Sequence, residues 1–397
     1  MSRTTFALAV SAALLAGCQE STTSADRSPS SSPNSQQVTE PTATITWNQV
    51  ARDLVVKNRS NAFVGIRAFA LLSVAQYNAV LATDTRKSDQ LPPSRAGAVA
   101  GASAAVLTSL YPDDAALLEG KVDAQRSAPV PAGSQHESFS AGEQLGRTIA
   151  ARVLGQAQDD RFFAPFTGTV PVCDGCWLPV PTPPAFATLG MAKPFFLTSG
   201  GQLRPAAPPA FGSPDYLAGL AEVRQIADAR TAVQDSIAKF WALPVGTVGP
   251  LGYWNAVGSE LIARYHLDER RASSVLALMN ATAFDAIIAS HDAKFTFWLI
   301  RPSQADPAIN LAIGLPSFPS YPSNHATVSA AATTILGAFF PNERASLDSQ
   351  ADEAGLSRLF GGIHYRFDVD SGLALGRRIG QYVMQQDVTG FDSFVLR

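Results

Sequence analysis

Between about Phe162 and Pro214 the chain carries the stretch FTGTVPVCDGCWLPVPTPPAFATLGMAKPFFLTSGGQLRPAAPP, in which proline recurs too often for a regular helix or a central strand. The segment therefore reads as one long extended excursion, a kind of loop that commonly covers a functional site. It divides the chain into an earlier and a later part, and both have helical periodicity.

In the earlier part, from Trp47 to about Leu154, RAFALLSVAQYNAVLA places Phe69, Leu72, Tyr77 and Val80 near one stripe. AGAVAGASAAVLTSLY and GEQLGRTIAARVL follow as further helices. Periodicity resumes at Tyr216 and runs through IAKFW, YWNAVGSELIARYHL and ERRASSVLALMNATAFDAIIASHDAKFTFW. ALLSVAQYNAV, from Ala70, and ALMNATAFDAI, from Ala277, echo each other, with Tyr77 against Phe284 and Asn78 against Asp285. The expected architecture is all-α, two helical bundles packed into one domain over residues 46–397. No stretch after the leader is a run of about 20 uncharged apolar residues, so no further helix need span a bilayer. Asn280 and Asp285, inside the most apolar helix, argue for burial in protein.

Hydrophobic residues make up 46% of the 397, enough for a sizeable core. A net charge of −3 without a dense Lys/Arg run excludes the electrostatic footprint of a nucleic-acid binder. The opening MSRTTFALAVSAALLAGCQE has a basic start and a short apolar run, an export signal over residues 1–18. Its Leu-Ala-Gly-Cys ending looks like a bacterial lipobox, which makes Cys18 the expected lipidation point. Residues 19–45, rich in Ser, Thr, Pro and Gln, read as a tether to an exported, lipid-anchored domain on the periplasmic or cell-surface side. Cys173 and Cys176 have no further ligands near enough for zinc and sit among prolines; in an oxidising compartment they are expected to form a disulfide.

The chemistry-bearing residues lie in three stretches of the motif-bearing part, about 285–390. In KFTFWLIRP, Lys294 and Arg301 stand seven apart, which on a helix running to Pro302 puts both cations on one side. In YPSNHA, Ser323 offers a hydroxyl, Asn324 a backbone N–H, and His325 an imidazole at a helix entrance, where unpaired N–H groups favour an anion. In SRLFGGIHYRFDVD, Arg358 precedes a Gly361–Gly362 break, and His364 and Asp368 stand at i,i+4, so that the carboxylate can orient the ring.

The ordered set K-x6-RP, P-S-x-H and S-R-x5-H-x3-D resembles the signature of the vanadium-dependent haloperoxidase and type 2 phosphatidic acid phosphatase superfamily, and the chain is most similar to its exported bacterial haloperoxidase-like branch. That resemblance implies vanadate as cofactor, with Lys294, Arg301, Ser323, Asn324 and Arg358 around its oxygens and His364 as the one protein bond to vanadium. His325 is implied as the proton-transfer group, with hydrogen peroxide and halide as substrates and a hypohalous species as product. The same residues imply, as an alternative, an exported phosphomonoesterase that needs no cofactor, in which His364 attacks phosphorus. A third reading is a non-catalytic oxyanion-binding lipoprotein. The family usually has glycine where this chain has Asn324; if that residue adopts positive φ, Asn is among the least penalised replacements. Phe318, seven before His325, stands where chlorinating relatives place Phe and algal brominating ones His. His291, three before Lys294, reads as a surface histidine at a helix turn in preference to one that faces the pocket.

Overall fold

The structure is a computed structural model and describes residues 42–85, 91–129, 136–179 and 184–386. Cys18 and nearly all of the tether lie outside these residues. Among them every regular element is helical. The first bundle comprises α1 (Ala43–Lys57), α2 (Ala62–Thr85), α3 (Arg95–Leu110), α4 (Ala115–Ser127) and α5 (Phe139–Gln158). After the Pro-rich excursion come α6 (Pro214–Asp228), α7 (Ala232–Phe240), α8 (Gly249–Arg264), α9 (Glu269–Phe297), the short α10 (Pro302–Ala305), α11 (Asn324–Phe339), α12 (Arg344–Phe360) and α13 (Arg366–Gln385).

The helix expected to start near Trp47 starts at Ala43, inside the stretch assigned to the tether, because a partner far along the chain caps it. The Glu269 carboxylate accepts from the Ala43 and Thr44 N–H groups, both at 2.8 Å, and so meets the positive end of α1.

The two echoing helices, α2 and α9, pack against each other and join the bundles. Both are long and apolar enough to cross a membrane, yet 89% and 94% of their apolar windows are buried inside the protein. Several polar groups on and beside them pair in the interior: Asn280 donates to Ser73, Asn48 to Gln76, and Gln76 to Ser103. Asp285 ties down the excursion. Its buried carboxylate accepts from the backbone N–H groups of Phe195, Phe196 and Leu197 at 2.7–2.9 Å, where no helix or strand could satisfy them.

Helices that carry the site approach unusually closely. On α13, Gly372, Gly376 and Gly380 recur every fourth residue and face α11, and a Cβ at Gly376 would lie 2.2 Å from the Thr327 carbonyl oxygen. The missing side chains let the two backbones meet, which fixes the start of α11 against the start of α13. Gly146 of α5 does the same against α3, where a Cβ would lie 2.0 Å from the Ala98 carbonyl oxygen. Gly376→Ala should push α13 off α11 and cost about 1–3 kcal/mol of stability, with a matching fall in any activity at the α11–α13 end. Urea unfolding and activity measured on the same preparation check this; unchanged stability would contradict the close contact.

Candidate active site

α9 does not continue to Pro302. It ends at Phe297, and Trp298 takes a left-handed conformation (φ 52°, ψ 30°) while its N–H closes on the Lys294 carbonyl. Lys294 and Arg301 are therefore not two turns apart on one helix. Lys294 stands in the last turn of α9, and Arg301 lies on extended backbone just before α10. They still converge, because the chain folds back at Trp298. Both lie over the ring of Phe318, at 5.3 and 5.2 Å from its centroid.

Lys294 is fully buried and donates to the carbonyls of Pro319, Ser320 and Pro322. All three ammonium hydrogens are thus committed to the Pro319–Pro322 loop. Burial, and then the neighbouring Arg301, hold its pKa well below the usual lysine value.

Arg301 is the hub. Its Nε donates to Phe318 O at 3.0 Å, and Nη1 donates to Ile363 O at 2.8 Å and to His364 Nε2 at 3.0 Å. Its Nη2 is buried without a partner. Arg358, at the end of α12, is aimed by Ser357, whose Oγ accepts from its Nε at 2.9 Å, while Nη2 donates to Ala238 O. Burial lowers both guanidiniums to about 9.

His364 lies in the connection before α13 rather than on it, so His364 and Asp368 do not share a helical face. Asp368 instead occupies the first turn of α13, and its carboxylate turns back. Oδ2 accepts from Ser320 Oγ at 2.5 Å, from His364 Nδ1 at 2.8 Å and from the Tyr365 N–H at 3.1 Å. The backbone carbonyl of Asp368 accepts from Ser323 N–H at 2.9 Å, which joins the start of α13 to the start of α11. Because Nδ1 donates to Asp368, His364 carries its neutral-form proton there, and its Nε2 lone pair accepts from Arg301 Nη1. Burial, then Arg301, Lys294 and Arg358, keep the ring well below the ordinary histidine pKa and therefore neutral. Burial raises Asp368 to about 6.

Ser323 caps α11, its Oγ accepting from Ala326 N–H at 3.5 Å, so its hydroxyl hydrogen is not used by the cap. His325 is half-buried. Burial, and then Arg358, hold its pKa well below the ordinary value, and its Nε2 is buried with no partner. A cavity of about 120 Å³ opens onto His325 and Asn324 between Phe63, Ile66, Phe318 and Val328.

Asn324 does not take positive φ; it is the first residue of α11. Its carboxamide is fixed on both sides: Oδ1 accepts from Ser290 Oγ at 2.6 Å, and Nδ2 donates to His291 Nε2 at 3.1 Å. His291 is consequently not a surface residue. It is fully buried, hydrogen-bonded through Nδ1 to Phe186 O at 3.1 Å, and held near pKa 3 by burial and then Lys294. The signal for it was its position one turn before Lys294 on a helix apolar on every side. Gly362 does adopt positive φ (79°), but a Cβ there would meet Leu311 and Ile309, so this break accommodates neighbouring chain. Cys173 and Cys176 are joined by a disulfide.

Known proteins resemble this chain in fold, and one family resembles it in the stretch that carries these residues. No curated protein sequence matches the chain. Among solved structures, one described as the first bacterial vanadium-dependent iodoperoxidase superposes with a TM-score of 0.74 at 22% identity, covering 89% of this chain and 97% of its own. A bacterial vanadium-dependent chloroperoxidase in its apo form gives 0.68 at 13% identity, covering 82% of this chain and 94% of its own. The holo form gives 0.68 at 13%, covering 83% and 93%. The sequence model of the PAP2 superfamily matches residues 274–391, the stretch that holds Lys294, Arg301, Ser323, Asn324, His325, Arg358, His364 and Asp368. The stretch that carries these residues is thus the one similar to the PAP2 superfamily, and as a whole the chain has the fold seen in bacterial vanadium-dependent haloperoxidases.

Proposed function

We propose that this protein is a vanadate-dependent haloperoxidase that oxidises halide with hydrogen peroxide. The observation that carries the reading is an excess of buried positive charge around the His364 Nε2 lone pair. Arg301 stands close enough to Lys294 and Arg358 to add to the depression that burial causes in both, against the single carboxylate of Asp368. Unmatched buried cations are costly, and a tetrahedral oxyanion is the ligand that offsets them. The fit extends to two buried nitrogens of the site that have no partner, Arg301 Nη2 and His325 Nε2; Asp368 Oδ1 is likewise unpartnered. Likeness to haloperoxidases over most of the chain supports the same choice.

In this reading His364 Nε2 would hold the vanadium once Arg301 Nη1, which donates to it at 3.0 Å, moves off the lone pair. Arg301 Nη2, Arg358 and the Ser323 hydroxyl donate to the oxygens, and the N–H groups at the start of α11 add a partial positive charge. Lys294 acts by charge and by holding the Pro319–Pro322 loop; a direct bond from it to the anion requires it to release one carbonyl. Vanadate, when bound, supplies the electrophilic centre at which peroxide becomes an oxygen donor to halide. Asp368 holds the proton on His364 Nδ1 so that Nε2 keeps its lone pair. His325, neutral and with Nε2 free, accepts the proton that peroxide loses on binding. Phe63, Ile66, Phe318 and Val328 keep bulk water from the approach, which strengthens each of these charges. The export signal and Cys18 support a lipid-tethered enzyme acting outside the cytoplasm.

A second reading uses the same atoms: His364 Nε2 attacks phosphorus and His325 protonates the leaving oxygen. It is favoured by the PAP2 match over 274–391. The assay that separates them supplies orthovanadate, peroxide and bromide or iodide in one arm and an aryl phosphate in the other. Halide oxidation that depends on vanadate is expected, and His364→Ala should reduce it to background. Aryl phosphate hydrolysis blocked by vanadate, with no halide oxidation, would overturn the first reading in favour of the second.

The pH profile gives an independent check. As pH falls through about 6, Asp368 takes up a proton and the His364 Nδ1–H loses its charged acceptor. Activity should therefore rise with pH through an acid limb near 6. Asp368→Asn should retain the fold, lower activity about 10–100-fold and lose that limb. An unchanged limb in the variant would assign it to another group.

A further inference from the structure

A second cleft, of about 420 Å³, opens behind His291. One wall is the end of α9 with Phe295, Thr296 and Trp298; the other is the Pro-rich excursion, with Phe166 and Met191. That volume suits a small organic molecule. We propose that this cleft binds a neutral planar aromatic molecule, the organic acceptor that the oxidised halide attacks. The proposal rests on the haloperoxidase reading above.

Four observations lead to it. First, aromatic rings line the cleft. Phe295 and Trp298 meet edge to face at 4.9 Å, and Phe166 and Trp298 are tilted at 6.2 Å. Second, Trp298 holds a left-handed conformation at a helix C-terminus, a position that glycine ordinarily fills. A bulky residue kept in such a conformation is strained, and strain of this kind gathers at ligand clamps. Glycine would serve the helix end better; the ring serves the cleft.

Third, the walls are preformed. Trp177 N–H donates to Trp298 O at 2.6 Å, and Ile300 N–H to Gly175 O at 2.9 Å, so the disulfide-closed turn at Cys173–Cys176 is bonded to the chain that carries Trp298. Gly190 sits against the backbone of Asp292, where a Cβ would approach to 2.5 Å. The charges at the rim cancel, since Arg204 donates to both oxygens of Asp292 at 2.5 and 3.0 Å. A neutral ligand fits such a rim.

Fourth, the cleft adjoins the reaction chamber. His291 lines it, and His291 Nε2 accepts from Asn324, which lines the cavity over His325. This hydrogen-bonded histidine–asparagine pair thus links the linings of the two spaces. The reaction served is balanced without a further reagent. Hypohalous acid delivers halogen to an aromatic carbon, a carbon–halogen bond replaces a carbon–hydrogen bond, and the released proton leaves with hydroxide as water.

The test is calorimetric titration of the full chain with 2-naphthol and, as the saturated control, decahydro-2-naphthol. Wild type should bind one equivalent of 2-naphthol and bind the control at least tenfold more weakly. Phe166→Ala and Trp298→Gly should each weaken 2-naphthol binding tenfold or more, while in Phe166→Ala vanadate-dependent oxidation of iodide to triiodide, measured without any organic acceptor, stays within twofold. Absent binding, equal binding of the control, or variants that bind like wild type would overturn the cleft assignment while iodide oxidation still upholds the haloperoxidase reading. Tight 2-naphthol binding by a protein that oxidises no halide would instead overturn the acceptor role together with the reading beneath it.

Discussion

Positive charge without a matching negative charge, buried at the junction of α9, α11, α12 and α13, is the constraint on which this structure turns. An ammonium and two guanidiniums share the pocket with one carboxylate. Each is held there by hydrogen bonds to carbonyls and hydroxyls rather than by ion pairs. Neutral acceptors orient a cation but leave its field largely intact, so the pocket keeps an electrostatic demand for an anion. Burial, and then this field, hold the imidazoles of His364, His325 and His291 neutral, so their nitrogen lone pairs stay unprotonated.

One carboxylate oxygen organises the rest. Asp368 Oδ2 gathers the Ser320 hydroxyl, the His364 ring and the Tyr365 N–H, while the Asp368 carbonyl receives the Ser323 N–H. Three chain segments therefore take their relative position from a single residue. The glycine face of α13 makes this possible by letting α11 come within backbone contact. Packing, register and tautomer are in this way one problem with one solution, and a shift of α13 along α11 would undo all of them together.

Much of this was legible in the residues. Helical periodicity, the proline-dense excursion and the spacing of the Lys, Arg and His motifs are local signals, and they identified the fold class and the residues that meet. Long-range reciprocity was not legible. Nothing near Glu269 announces that it caps α1, and nothing near Asp285 announces that it gathers three N–H groups from the excursion. The expected two-turn relation of Lys294 and Arg301 failed because a tryptophan, a poor candidate for a left-handed helix end, ends α9 there. His291 was misplaced because one histidine on an apolar helix carries no sign of its partner, and its partner is the asparagine that departs from the family pattern. Those two facts explain each other: the carboxamide at Asn324 is held by the imidazole behind it and by Ser290.

The central claim, that these separate segments enclose one tetrahedral oxyanion at His364, is tested most directly by a crystal structure of the protein soaked with orthovanadate, with anomalous scattering used to locate vanadium. The account predicts one vanadium within bonding distance of His364 Nε2, its oxygens met by Arg301 Nη2, Arg358 and Ser323, with His325 Nε2 facing it. Vanadium located away from His364, or a pocket that stays free of it at saturating orthovanadate, would contradict the account.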